Sequence, residues 1–292
     1  MKINNKIHNR NHILKSLLGN TEYLLTNLKL DKGELIVVNY HGTPKKFISN
    51  FRNQLNFFQK VFSIISPEQL NDFYEGKLNE LKQPKLLLTF DDGIKNNLLA
   101  AEVLKEFNIK AFFFVVPDFI DTVEEKQRTY FITNIRPSIN SNIDNQVEDF
   151  TAMSWIDLRK LHEEGHSIGS HTQKHKLVAK TSTLENSKVE IKDSRENIVK
   201  QLQTSLHNIG GFCSINNTLE SISKKEIQLI KENYQYHFTT IPGPNYFVSN
   251  KFFIKRANIE SHWLLGAVKY AIGKWDLKRW KTSENSYSEL LK

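Results

Sequence analysis

Two acids side by side at the end of an apolar run are the residues in this chain best placed to do chemistry. Asp91 and Asp92 follow Leu86-Leu87-Leu88-Thr89-Phe90 and are followed at once by Gly93. The pattern predicts a buried strand that delivers two carboxylates to its C-terminal tip, where a turn begins. Two like charges there are costly unless a cation or a proton gives them different roles. A cation site stands about 80 residues downstream, in Ser170-His171-Thr172-Gln173-Lys174-His175. Histidines four apart lie on one side of a helical turn, so the spacing predicts a turn with both imidazoles within reach of one ion. One of the two carboxylates would complete a His-His-carboxylate set that leaves positions open for water and substrate. Nitrogen and oxygen donors without sulfur suit zinc, and also cobalt, nickel or manganese. The remaining aspartate can then act as base toward the attacking water. Alone, Asp-Asp-Gly is an ordinary turn, and His-x-x-x-His recurs by coincidence. Together, each behind an apolar strand, they point to a metal-dependent hydrolase.

The elements around these residues alternate. Apolar runs predict strands at Glu34–Tyr40, Phe62–Ile65, Lys85–Phe90, Lys110–Val116, His166–Gly169, Tyr236–Thr240 and Phe252–Ile254. Helical periodicity falls at Ile48–Phe62, Pro67–Tyr74 (with Ser66 as a cap), Asn96–Phe107, Leu158–Glu164, Thr183–Leu206 and Glu226–Glu232. Strands alternating with helices predict an α/β fold with parallel pairing, and such folds place their sites at the C-terminal edge of the strands. His41, Asp91-Asp92 and His171 all follow strand ends. Asp121–Phe150 is the least regular stretch, which predicts a surface or substrate-facing loop. No Pro/Gly linker divides the chain, so one domain is expected over residues 1–292, with a core at about 34–265 and helical extensions at both ends.

The 292 residues are 39% hydrophobic and include 19 Phe, enough for a packed core. The net charge is +8, which favours anionic partners, but the lysines are scattered and a nucleic-acid role has nothing else behind it. One cysteine, Cys213, excludes an intramolecular disulfide and a cysteine-based zinc site. No secretory signal and no run of about 18 apolar residues is visible, so the expected location is the cytoplasm, without a membrane span. Ile13, Leu14, Leu17, Leu18, Leu24, Leu25 and Leu28 recur at roughly helical spacing near basic residues. That stripe reads as a helix docked on its own domain, with peripheral membrane contact as the alternative.

The motifs TFDDG (89–93) and SHTQKH (170–175) resemble the polysaccharide deacetylase family, the chitin-deacetylase-type carbohydrate esterases with a NodB-homology domain. VVNYHG (37–42), KAFFFVV (110–116) and the LRKLHEEGHSIGSHTQKH stretch (158–175) follow that family's order, so the resemblance covers most of the chain. It implies a distorted (β/α)7 barrel of the polysaccharide deacetylase type. It also implies that Asp91 is the catalytic base and that Asp92, His171 and His175 are metal ligands, most often for removing N-acetyl from an amino sugar.

Elsewhere the pattern departs from the family. A Pro-aromatic turn is expected after the long helix, but Gly210-Gly211-Phe212-Cys213-Ser214-Ile215-Asn216-Asn217 stands there. A backbone N–H at Asn216 would serve as oxyanion donor, a role that needs no particular side chain. By resemblance, Arg256 orients the aspartate base and a late histidine is the general acid, a place that His262 takes by position only. His41, in the turn after the first strand, edges the pocket, either supporting a residue of the site or touching substrate. The leading expectation is a zinc-type hydrolase acting on an acylated carbohydrate, either a phosphate-bearing or lipid-linked precursor of a surface polysaccharide or lipopolysaccharide. A metal amidase for a non-carbohydrate substrate and a non-catalytic glycan binder are the alternatives. Oligomeric state is not legible.

Overall fold

Lys85–Phe90 (KLLLTF) is apolar without alternation because both of its faces are covered, and all six of its residues are buried. Glu34–Tyr40 (ELIVVNY) is buried throughout for the same reason. The computed structural model describes residues 12–21, 23–24, 28, 30–137, 150–178, 182–215 and 222–273. Its strands are β1 (Glu34–Tyr40), β2 (Ser63–Ile64), β3 (Lys85–Phe90), β4 (Phe112–Val115), β5 (Ser167–Ser170), β6 (Gly211–Cys213), β7 (Tyr236–Phe238), β8 (Asn245–Tyr246) and β9 (Ala257–Asn258). The helices are α1 (12–21), α2 (Ile48–Val61), α3 (Leu70–Tyr74), α4 (Asn97–Glu106), α5 (Pro117–Asp121), α6 (Glu124–Tyr130), α7 (Trp155–Glu163), α8 (Leu184–Lys188), α9 (Ser194–Leu202), α10 (Lys224–Asn233) and α11 (Leu265–Ile272).

The sheet runs β7-β6-β5-β4-β3-β1-β8, with β2 beside β3 and β9 beside β1. Every pairing is parallel except that of β8 with β1. Helices fill the crossovers, and the sheet curls into a half-barrel. One segment touches both ends of the curl. Ile254 bridges to Phe238 of β7, and Ala257–Asn258 pairs with β1 at Val38 and Asn39. Arg256 lies between these two attachments.

Period-two alternation sorts the side chains into two layers. Leu35, Val37, Leu87, Phe112, Phe114, Phe238 and Ile254 fill the barrel interior. Ile36, Val38, Leu86, Leu88, Phe90 and Phe113 face outward and pack under Phe51, Leu55 and Phe58 of α2. The Phe112 and Phe114 rings stack at 5.4 Å, and a Cβ at Gly169 would lie 2.5 Å from the Phe114 ring. Only glycine lets β5 pass so close.

Several expectations need correction. The residues after β5, including His171 and His175, are not helical. Helix Pro67–Tyr74 starts only at Leu70, and Ser66 is not its cap. The long helix at Thr183–Leu206 is α8 and α9 joined by a π-helical turn at Val189–Asp193. Helix α6 and a second π-helical turn, Phe131–Ile135, occupy part of the stretch read as irregular. Of the C-terminal extension expected to be helical, the part beyond Gly273 lies outside the described residues.

Candidate metal centre and active site

Alternation along the strands carries polar residues to the interior at their C-terminal ends. Asn39 and His41 continue the inward row of β1, and Thr89 and Asp91 that of β3. They meet at a cavity of about 270 Å³, which His171, His175, Arg136, Ile135, Ile215, Thr240 and Asn258 also line. Asp92 lines it as well, although as Asp91's neighbour it would face the other way. Its backbone is left-handed, with φ of 74°, and this turns its carboxylate back toward Asp91's side. Thr172 (66°) and His175 (57°) are left-handed too. A left-handed threonine is rare because its branched Cβ crowds the backbone, and such strain concentrates at functional sites. These two residues do the work assigned to a helical turn: the loop itself swings both imidazoles to one side.

Three groups then converge. Nε2 of His171 and Nε2 of His175 each lie 3.5 Å from Oδ1 of Asp92. The other ring nitrogens face backbone oxygens, Nδ1 of His171 that of Cys213 and Nδ1 of His175 that of Asn134, both at 2.9 Å. Facing carbonyls, both Nδ1 atoms must donate, which leaves lone pairs on both Nε2 atoms. Burial lowers the pKa of both imidazoles, that of His175 to about 4, so they are neutral. Burial likewise raises the Asp92 pKa. Among the described residues, neither carboxylate oxygen of Asp92 has a hydrogen-bond partner. Lone pairs from three side chains thus meet with no proton donor between them, an arrangement that a divalent cation satisfies. The donor set fits an N/N/O ion.

Asp91 is set apart from its neighbour. Arg256 reaches it with both arms, Nη1 to Oδ1 at 2.7 Å and Nη2 to Oδ2 at 2.9 Å. The guanidinium also donates to the Thr239 carbonyl and to the Thr89 hydroxyl. Burial alone would raise Asp91, but the Arg256 charge outweighs it and holds the carboxyl at about 2. A second possible cation group, Asp91 with His171 and Cys213, is thereby disarmed. Its carboxylate belongs to Arg256, and burial pushes the Cys213 thiol well up, away from the thiolate that a metal needs.

The opposite wall holds residues that the sequence did not flag. Glu260 Oε1 lies 3.1 Å from His41 Nδ1 and 3.6 Å from Arg136. Burial would lower His41, but the Glu260 charge and hydrogen bond reverse this and raise its pKa. Asn39 donates to Asn258 at 3.0 Å and, at 3.4 Å, to Asp91. His262 is exposed and does not line the cavity. Its ring packs against Phe47 (5.6 Å) and His12 (6.2 Å), so it does not take the place expected of a general acid. Asn216 lies outside the described residues, while Ile215 just before it lines the cavity. A larger cavity, about 560 Å³, opens where β5 begins, around His166 and Ser167, away from these groups.

Comparison with known proteins bears on this geometry. Residues 79–209 match the family model described as polysaccharide deacetylase. This segment, and not the rest of the chain, is similar to that family. No curated protein matches the sequence. Among solved structures, a Streptococcus pyogenes deacetylase in complex with acetate is similar at 16% identity and a TM-score of 0.60, over 83% of this chain and 99% of that one. The deacetylase domain of BpsB from Bordetella bronchiseptica shares 18% identity at a TM-score of 0.58, over 79% and 97%. A Bacillus cereus polysaccharide deacetylase shares 19% at 0.57, over 82% and 69%. These likenesses establish the barrel fold.

The family's matched segment contains Asp91, Asp92, His171 and His175, and ends before Arg256 and Glu260. The support that these last two give to Asp91 and His41 therefore has to be read from the fold. Arg256 has a sequence signal, an arginine after a late apolar run. Glu260 and Arg136 have none, because their pairing spans 124 residues and joins two loops.

Proposed function

We propose that this chain is a metal-dependent deacetylase that removes an N-acyl group, most often acetyl, from an amino sugar. The observation that carries the reading is the buried, unpartnered Asp92 carboxylate facing two imidazole lone pairs, beside an Asp91 kept ionised by Arg256. Asp92, His171 and His175 would hold zinc, or cobalt, nickel or manganese, and the ion would polarise the acyl carbonyl and acidify a water. Asp91 would take the proton from the attacking water. At about 2 its own pKa makes it a weak base, so the water must be acidified for the transfer to proceed. Arg256 fixes the orientation of that carboxylate and keeps it charged.

His41 replaces His262 as the general acid in this proposal. Its Nδ1–H is held by Glu260, its pKa is raised, and it lines the cavity beside Asp91 and Asp92. Protonated His41 would hand its Nε2 proton to the departing amine as the C–N bond breaks. Water supplies the acid's hydroxyl, and the products are acetate and a free amino sugar. Arg136 adds a cation to the same wall, which with the net charge of +8 favours a phosphate-bearing or lipid-linked sugar. The buried, unpaired Cys213 agrees with a cytoplasmic setting. A glycan-binding module would have no use for an ionised carboxylate beside an ion site. The test is deacetylation of acetylated amino sugars by Asp92→Ala and His171→Ala proteins. Retention of both bound metal and acetate release in either variant would refute the proposal.

A further inference from the structure

Helix α1 sits on the domain by its small face and turns its leucines outward. His12, Ser16, Gly19 and Tyr23 recur at helical spacing and are the residues packed inward. Ser16 and Gly19 press on Gly266 of α11, and a Cβ on either glycine would run into backbone of the opposing helix. This close crossing uses the narrow side. Ile13, Leu14 and Leu17 stay 55%, 56% and 61% exposed, and Leu18, Leu24 and Leu264 are exposed as well. The sequence had suggested that this leucine stripe docks on the domain, and of its described members only Leu28 is buried.

Charge decides what covers the patch. Residues 1–20 contain Lys2, Lys6, Arg10 and Lys15 and not one acid, half of the chain's net +8. A second copy would set this basic segment against itself. The chain's own 274–281 stretch is also basic, with Lys274, Lys278, Arg279 and Lys281 against Asp276. An apolar helix face in a stretch of sequence this basic complements an anionic bilayer surface, into which leucines insert while lysines meet phosphates. We propose that α1 docks the protein on anionic phospholipid. His12 at the start of α1 packs 5.2 Å from Trp263, three residues beyond the Glu260 that holds His41 of the cavity lining. The docking is independent of the chemistry in the cavity.

The test is co-sedimentation of the full chain with phosphatidylcholine vesicles, with and without phosphatidylglycerol, compared with Leu14→Asp/Leu17→Asp and Arg10→Glu/Lys15→Glu proteins. Expected is binding only to the anionic vesicles, weakened roughly tenfold or more by either double substitution, with melting temperature and solution mass unchanged. Equal binding by all three proteins, or none by the parent, would overturn the proposal. So would a dimer that the aspartates dissociate, which makes a second copy the occupant. Binding that appears only after residues 274–292 are removed would assign the patch to the tail and overturn it likewise.

Discussion

Replacing Arg256 by methionine keeps most of the side chain's volume and removes its charge, so it isolates what the ion pair with Asp91 does. Arg256 is 1% exposed and makes two hydrogen bonds to Asp91, at 2.7 and 2.9 Å. Removing one partner of a buried pair leaves an uncompensated charge, which costs about 3–5 kcal/mol. The pKa of Asp91 gives an independent floor: lowering it from 3.8 to about 2 corresponds to about 2 kcal/mol. In a chain of 292 residues, 3–5 kcal/mol moves the melting temperature by roughly 5–8 °C. The sign with pH follows. Asp91's folded value lies below its unfolded one, so its stabilisation is full above about pH 4 and is lost as pH falls toward 2. The gap between parent and Arg256→Met should therefore narrow over that window. Asp91→Asn combined with Arg256→Met removes both charges and should recover much of the loss, a non-additivity of about 2 kcal/mol or more. Urea unfolding of the four proteins of this cycle measures it. A cost below about 1 kcal/mol for Arg256→Met, or strict additivity in the cycle, would refute the claim that Arg256 holds Asp91 as a buried anion.

Other consequences concern the cavity. His41→Gln should lower kcat about 10²–10⁴-fold. It should also erase the alkaline limb of the pH–rate profile, which in the parent falls as pH rises through His41's raised value, above 6.5. His262→Ala, by contrast, should leave kcat within about threefold (about 0.65 kcal/mol at most), because the exposed ring lies outside the cavity lining and bears on it only through its charge interaction with Glu260. Asp92→Asn should abolish tight metal binding, measured by equilibrium dialysis, while stabilising the metal-free protein by about 1–3 kcal/mol in a chelator melt. That gain grows as pH rises past 3.8, because the folded pKa of Asp92 is raised and its burial as an anion is the unfavourable state. Zinc at about a thousand times its dissociation constant should stabilise the parent by about 4 kcal/mol and leave Asp92→Asn unmoved.

The strands that carry the site are legible because they are buried on both faces. Lys85–Phe90 and Glu34–Tyr40 read as unbroken apolar runs with polar residues at the tip. Gly211–Cys213 escaped as a strand: three residues with no run to mark them, where a turn was expected. His171 and His175 were found by their spacing, yet for a reason that the backbone does not use. The loop reaches the same juxtaposition through left-handed Thr172 and His175. Arg256 was legible as a cation after a late strand, but its burial against Asp91 follows from the segment that touches both ends of the curled sheet. Nothing local announces Glu260. It becomes meaningful only when the barrel brings it 3.1 Å from His41, 219 residues away. The exposed face of α1 was only the alternative reading because a leucine stripe normally points inward, and the Ser16–Gly19–Gly266 crossing reverses the helix.

The central claim is that Asp92, His171 and His175 hold an ion on which deacetylation depends. Titrating zinc into chelator-stripped protein, while acetate released from an acetylated amino sugar is measured in the same sample, tests it most directly. The account predicts one ion per chain, with acetate release rising in step with occupancy and saturating at one equivalent. Full occupancy without acetate from any acetylated sugar, or acetate release unaffected by stripping, would contradict it.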